Sequence, residues 1–142
     1  MTSVSSQAPI RLLLLDDDPV EMTILRHKLD RWPHGSATLA HVETVESAIR
    51  WMAANEADII LVDDRLAPGT DFRQTVPALR KTGFIGAIGI ISSDVSSDYF
   101  QSFQSYGADF RIGKDEIDRQ ALTFILDEFV PPRAIAGEDD IV

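Results

Sequence analysis

Apolar positions along this chain follow two alternating patterns: short apolar runs, and longer stripes of helical period. Ile10–Leu15, Ile59–Val62 and Ile88–Ile91 are short apolar runs, the mark of strands covered on both faces. Thr38–Val42 and Phe110–Ile112 read as two further strands. Between the runs the period changes. Val20, Ile24, Leu25 and Leu29 predict a helix that Asp18 caps, Pro19 opens and Trp32-Pro33 ends. Thr44 caps a second helix, in which Val45, Ala48, Ile49 and Met52 share a face. Asp71 caps a third, through Phe72, Val76 and Leu79 to Gly83, which Pro77 can bend. A fourth is expected from about Val95 to Tyr106, ended by Gly107. In the last, to about Phe129, Asp115 serves as N-cap and Asp118 as the acid three residues on. Five strands alternating with five helices imply an α/β fold, a doubly wound parallel sheet with helices on both faces.

Composition narrows the classes. A chain of 142 residues has room for one domain and can bury about 70% of its unfolded surface. Residues 1–9 read as a flexible leader, 10–130 as the domain and 131–142 as an acidic tail. The formal charge of −10 argues against a nucleic-acid surface, which needs clustered Lys and Arg. With no cysteine, disulfide scaffolds and thiol catalysis are excluded. No apolar run is long enough to span a bilayer and the N-terminus resembles no signal peptide, so a cytoplasmic protein without membrane association is expected.

In open parallel sheets the working edge lies at the carboxyl ends of the strands. Asp16, Asp17, Asp63, Ser92 and Lys114 each fall just past such an end, on four separate strands. Singly they are ordinary: acids before a helix cap it, and a lone lysine is a surface residue. Their coincidence is the functional signal. Packed carboxylates raise one another's pKa, a penalty that a divalent cation removes, and an all-oxygen set suits Mg²⁺. A carboxylate beside Mg²⁺ can accept a phosphoryl group, with Lys114 and Ser92 meeting its oxygens.

LLLLDDDP (12–19), DIILVDDRLAPGTD (58–71), IGIISS (88–93) and GADFRIGK (107–114), in this order, resemble a two-component response-regulator receiver domain over roughly residues 10–130. The resemblance implies a flavodoxin-like (βα)₅ fold with strand order 2-1-3-4-5. It implies Asp63 as phosphoacceptor and Ser92 and Lys114 as phosphoryl-binding and switch residues. Mg²⁺ would be held by Asp17, Asp63 and the Arg65 backbone carbonyl, with Asp16 acting through water. The implied partners are a sensor histidine kinase or histidine phosphotransfer protein, and a downstream protein target. The implied function is a stand-alone phosphoryl-accepting switch, not an enzyme.

Three positions depart from the family pattern. Its proline, four residues past the acceptor, falls at Ala67 counted from Asp63 and at Pro68 counted from Asp64. Asp64 is therefore the alternative acceptor, though the spacing from Asp58 favours Asp63. Asp115 replaces the proline after the lysine. Arg111 stands where the family has its aromatic switch residue; burying an unpaired guanidinium is costly, so Arg111 is expected at the surface as a possible readout for an acidic partner. Two rival readings remain. Asp16-Asp17-Asp18-Pro19-Val20 also fits the nucleophile motif of haloacid-dehalogenase-like phosphatases, with Asp16 as nucleophile, but the order of the later motifs is wrong for that family. A pseudo-receiver docking module is the other. His27, His34 and His41 are expected to be solvated. Of Tyr99, Phe100, Phe103 and Tyr106, Phe103 is expected in the core.

Overall fold

The computed structural model describes residues 9–31, 36–66, 69–93 and 98–129. The expected leader, except Pro9, and the acidic tail lie outside them, as do Pro33, His34, Ala67, Pro68 and the start of the expected fourth helix. Five strands, β1 (Ile10–Leu15), β2 (Ala37–Val42), β3 (Ile59–Asp63), β4 (Ala87–Ser92) and β5 (Phe110–Gly113), form one sheet. Its order is β2-β1-β3-β4-β5 and every pairing is parallel. The helices are α1 (Pro19–Asp30), α2 (Val45–Ala54), α3 (Phe72–Arg80) and α4 (Arg119–Phe129), with a 3-10 helix, Asp98–Tyr106, between β4 and β5.

Both faces of the sheet are apolar, which is why the central strands read as runs. Leu12, Leu14, Ile59, Leu61 and Ile91 pack with α1 and α4 on one face. Leu13, Leu15, Ile60, Val62 and Ile90 pack with α2 and α3 on the other. Alternation along each strand therefore decides which face a residue beyond its end will serve. At the far end of the sheet the Arg80 guanidinium gathers three carbonyls from two loops, donating to Gly107, Phe84 and Gly86, and pairs with Asp109 at 3.0 Å.

The helix starts follow the capping residues, with one correction. Asp18 accepts from Val20 N at 2.9 Å, Thr44 from Ser47 N, and Asp71 from Arg73 N, with Gln74 returning to the Asp71 amide. Pro77 is accommodated inside α3. Asp115, however, caps nothing. Lys114–Glu116 form a single 3-10 turn, in which Glu116 accepts from Gly113 N at 2.9 Å. Ile117 then drops into the core, its carbonyl bonded by Lys28 Nζ, and this anchor delays the helix. The acid at the start of α4 is Asp118, accepting from Ala121 N at 2.8 Å.

The expected fourth α-helix is, from residue 98, a 3-10 helix with Ser102 out of helical geometry. A three-residue period stacks Phe103 directly before Tyr106. Both pack toward the α3 face, with Tyr106 edge-on to Phe72 at 5.7 Å. The side chains of Tyr99 and Phe100 lie outside the described residues. One backbone vacancy sets the last strand pair: Gly89 is aligned with Phe110, whose ring fills the space a Cβ at Gly89 would need. Phe110 also stacks on Phe129 at 4.6 Å.

Candidate functional site

The carboxyl ends of β1 and β3 deliver the acidic residues. Leu12, Leu14 and then Asp16 share the α1 side, as do Ile59, Leu61 and then Asp63. Carboxylate oxygens of Asp16, Asp17 and Asp63 lie within 4.8 Å of one another, with Asp16 and Asp63 buried and Asp17 exposed. Asp64, one residue on, has the opposite parity. Its carboxylate accepts from Phe72 N at 3.3 Å, at the start of α3, and its other oxygen is 3.8 Å from Arg65 Nε.

Lys114, on the turn after β5, enters the acidic pocket from the other side. Its Nζ lies 3.5 Å from Asp63 Oδ1 and 3.8 Å from both Asp16 Oδ2 and Glu21 Oε1. Glu21 was not among the expected residues. Its signal was a charged residue on the inward stripe of α1, in register with Leu25 and Lys28 at i+4 and i+7; these residues and Asp16 line a small cavity beside Lys114. Ser92 is buried at the end of β4, aligned with Gly113 and one residue past Ile91, the partner of Asp63.

Electrostatics follow from this packing. Burial and the neighbouring Asp16 push Asp63 up to about 6, with Lys114 opposing the rise. Burial raises Asp16 as well. Burial works against the Lys114 ammonium, but Asp63, Asp16 and Glu21 outweigh it and its pKa is raised. Four carboxylates around one ammonium leave a strongly negative pocket when all are ionised. Asp16 Oδ2 is buried without a hydrogen-bond partner, while Oδ1 accepts from Asp18 N at 2.9 Å. An oxygen-only donor set with an orphaned buried carboxylate oxygen fits a hard divalent cation.

Around the pocket, Arg65 is exposed, beside Asp64. Arg111 is exposed, its guanidinium carbon 5.7 Å from the Phe103 ring centroid, and Asp115 is exposed. His27 is exposed as expected, but His41 is not simply solvated. It is half-buried near the end of β2, and its Nε2 lies 2.7 Å from the Asp16 carbonyl oxygen. Its place on the α1 side, opposite Leu14, was the signal available in the strand parity.

No protein-family model matches this sequence, and no curated protein sequence matches it significantly. Solved structures do match. The receiver domain of sensor histidine kinase PA1611 from Pseudomonas aeruginosa, solved with magnesium in its active-site cleft, is 21% identical, covers 86% of this chain and 98% of its own, and has a TM-score of 0.69. The chemotaxis protein CheY4 of Vibrio cholerae is 18% identical over 87% of this chain and 100% of its own, at 0.71. The receiver domain of the response regulator NarL from Mycobacterium tuberculosis is 21% identical over 84% and 94%, at 0.68. No helix among the described residues is long and apolar enough to cross a membrane. With its five parallel strands in the order 2-1-3-4-5 and its acidic pocket at their carboxyl ends, the chain has the fold of the response-regulator receiver domains.

Proposed function

We propose that the protein is a Mg²⁺-dependent phosphoryl acceptor of histidine–aspartate signalling, with Asp63 as the acceptor. The observation that carries this reading is the placement of Asp63: its carboxylate shares a pocket with Asp16 and Asp17 and sits 3.5 Å from Lys114 Nζ, whereas Asp64 faces α3. In the transfer, an Asp63 oxygen bonds to phosphorus as the bond from phosphorus to the donor histidine nitrogen breaks. The products are an aspartyl phosphate and a free imidazole. Even without a cation, a carboxylate raised to about 6 is mostly ionised at neutral pH, the form that attacks.

Asp17, Asp63 and the Arg65 carbonyl would hold the cation, with Asp16 acting through water. A bound Mg²⁺ neutralises charge on the phosphoryl oxygens. Lys114 loses its carboxylate partner on Asp63 when that group is phosphorylated and is placed to meet a phosphoryl oxygen instead. Ser92, buried at the carboxyl end of β4, would supply the hydroxyl for the remaining one. Partners are a histidine kinase or phosphotransfer protein upstream and a protein target downstream. The acidic composition and the receiver fold support a cytoplasmic signalling role.

The phosphatase reading has less support. Asp16 would be its nucleophile, yet one of its oxygens accepts from Asp18 N and the residue is only 1% exposed. The test is incubation with a small phosphodonor and Mg²⁺, followed by intact mass and mapping of the modified residue. One phosphoryl group on Asp63, without sustained hydrolysis of phosphomonoesters, is the expected result. Turnover dependent on Asp16 would favour the phosphatase, and an unmodified protein would favour a docking module.

A further inference from the structure

The β1–β2 ladder continues one rung past the strands, with Asp16 N donating to Val42 O at 3.0 Å. β2 ends there, because Thr44 leaves the sheet to cap α2. The next acceptor on the β1 side is the Asp16 carbonyl, and the His41 imidazole reaches it from the side, Nε2 to oxygen at 2.7 Å. A carbonyl oxygen only accepts, so Nε2 carries the proton. That carbonyl belongs to the peptide linking Asp16 to Asp17. On the other side of Asp17, the Asp18 amide donates to the Asp16 carboxylate at 2.9 Å. The backbone of an exposed residue is thus pinned at both ends.

We propose that His41 is a positioning residue for the cation site: by donating to the Asp16 carbonyl it fixes the peptide plane that aims the Asp17 carboxylate toward Asp63. The assignment rests on the reading of Asp16, Asp17 and Asp63 as a Mg²⁺ site. Without the bond, rotation of that peptide lets the Asp17 side chain swing away, and cation binding must bear the entropy of ordering it. Outer-shell groups of this kind typically change metal affinity by about 10–100-fold.

The experiment is a Mg²⁺ titration followed by thermal shift, on the wild-type protein and on His41→Leu, His41→Gln and His41→Asn. The Gln amide nitrogen stands close to the place of Nε2, whereas that of Asn falls short. His41→Leu and His41→Asn are expected to weaken Mg²⁺ binding by about tenfold, with His41→Gln close to wild type. If His41→Leu does not fold, His41→Asn carries the comparison against His41→Gln. Equal Mg²⁺ affinity in all folded variants, or equal loss in His41→Gln and His41→Asn, overturns the role of His41, even where Mg²⁺-free melting temperatures differ. Absence of Mg²⁺ binding by the wild type overturns instead the reading of the site itself.

Discussion

Asp63 and Asp64 are neighbours in the chain and serve opposite faces of the sheet. The carboxylate of Asp63 approaches Lys114 Nζ at 3.5 Å, and that of Asp64 accepts from Phe72 N at 3.3 Å. The period of two along β3 produces this division, so the two acids are expected to fail in different ways when changed.

Asp63→Asn should abolish phosphorylation by a small phosphodonor. Asp64→Ala should leave phosphorylation in place and destabilise the protein by about 1–2 kcal/mol, because a buried acceptor at the start of α3 is lost. Intact mass and urea unfolding of the two variants check this. A phosphorylated Asp63→Asn protein would assign the acceptor to Asp64.

Mg²⁺ should raise the melting temperature of the wild-type protein by mass action. Asp17→Asn should weaken that stabilisation well beyond Asp18→Asn, since Asn replaces Asp at a helix cap with little loss. Thermal shift across a Mg²⁺ series separates them; equal effects would contradict the division of roles between the two acids.

The raised Asp63 carboxyl predicts a pH dependence of stability. Between about pH 4 and pH 6 the folded protein holds a proton there that the unfolded chain has released. The contribution of this group therefore favours folding at low pH and is lost as pH rises through about 6. Asp63→Asn should remove this loss and stabilise the Mg²⁺-free protein at pH 7 by up to about 3 kcal/mol, with little gain at pH 4. Unfolding in EDTA at the two pH values reads the difference, and an equal gain at both would show that Asp63 titrates normally.

Arg111→Ala should leave phosphorylation of Asp63 unchanged and weaken binding of the downstream partner, and wild-type binding should fall with added salt. Both quantities are to be measured on one preparation. Loss of phosphorylation with affinity retained would place Arg111 in the reaction itself.

Much of this was legible from local patterns. Apolar runs mark the strands, and Asp18, Thr44 and Asp71 cap the helices that their sequences announce. The acids at the ends of β1 and β3 meet because parallel topology puts those strand ends together. What the linear pattern hid depends on contacts across elements. Ile117, fixed by Lys28, shifts the last helix start from Asp115 to Asp118. The aromatic spacing of Phe103 and Tyr106 suits a 3-10 helix as well as an α-helix, and packing on Phe72 decides. Glu21 and His41 lay on readable faces of α1 and β2, but their partners, Lys114 and the Asp16 carbonyl, are 93 and 25 residues away in sequence.

The vacancy at Gly89 has a consequence for the proposed signalling role. β5 is four residues long and lies at the sheet edge, where a slip of one position would exchange its inward and outward side chains. The Phe110 ring fits only over a residue with no side chain, so the glycine acts as a key for register. Turn that key and Arg111 would point inward and Phe110 outward. The group that β5 would present to a partner is thus set, in part, at a glycine on the neighbouring strand. An alanine there would be expected to disturb that group and, through Lys114 directly after β5, the acidic pocket as well.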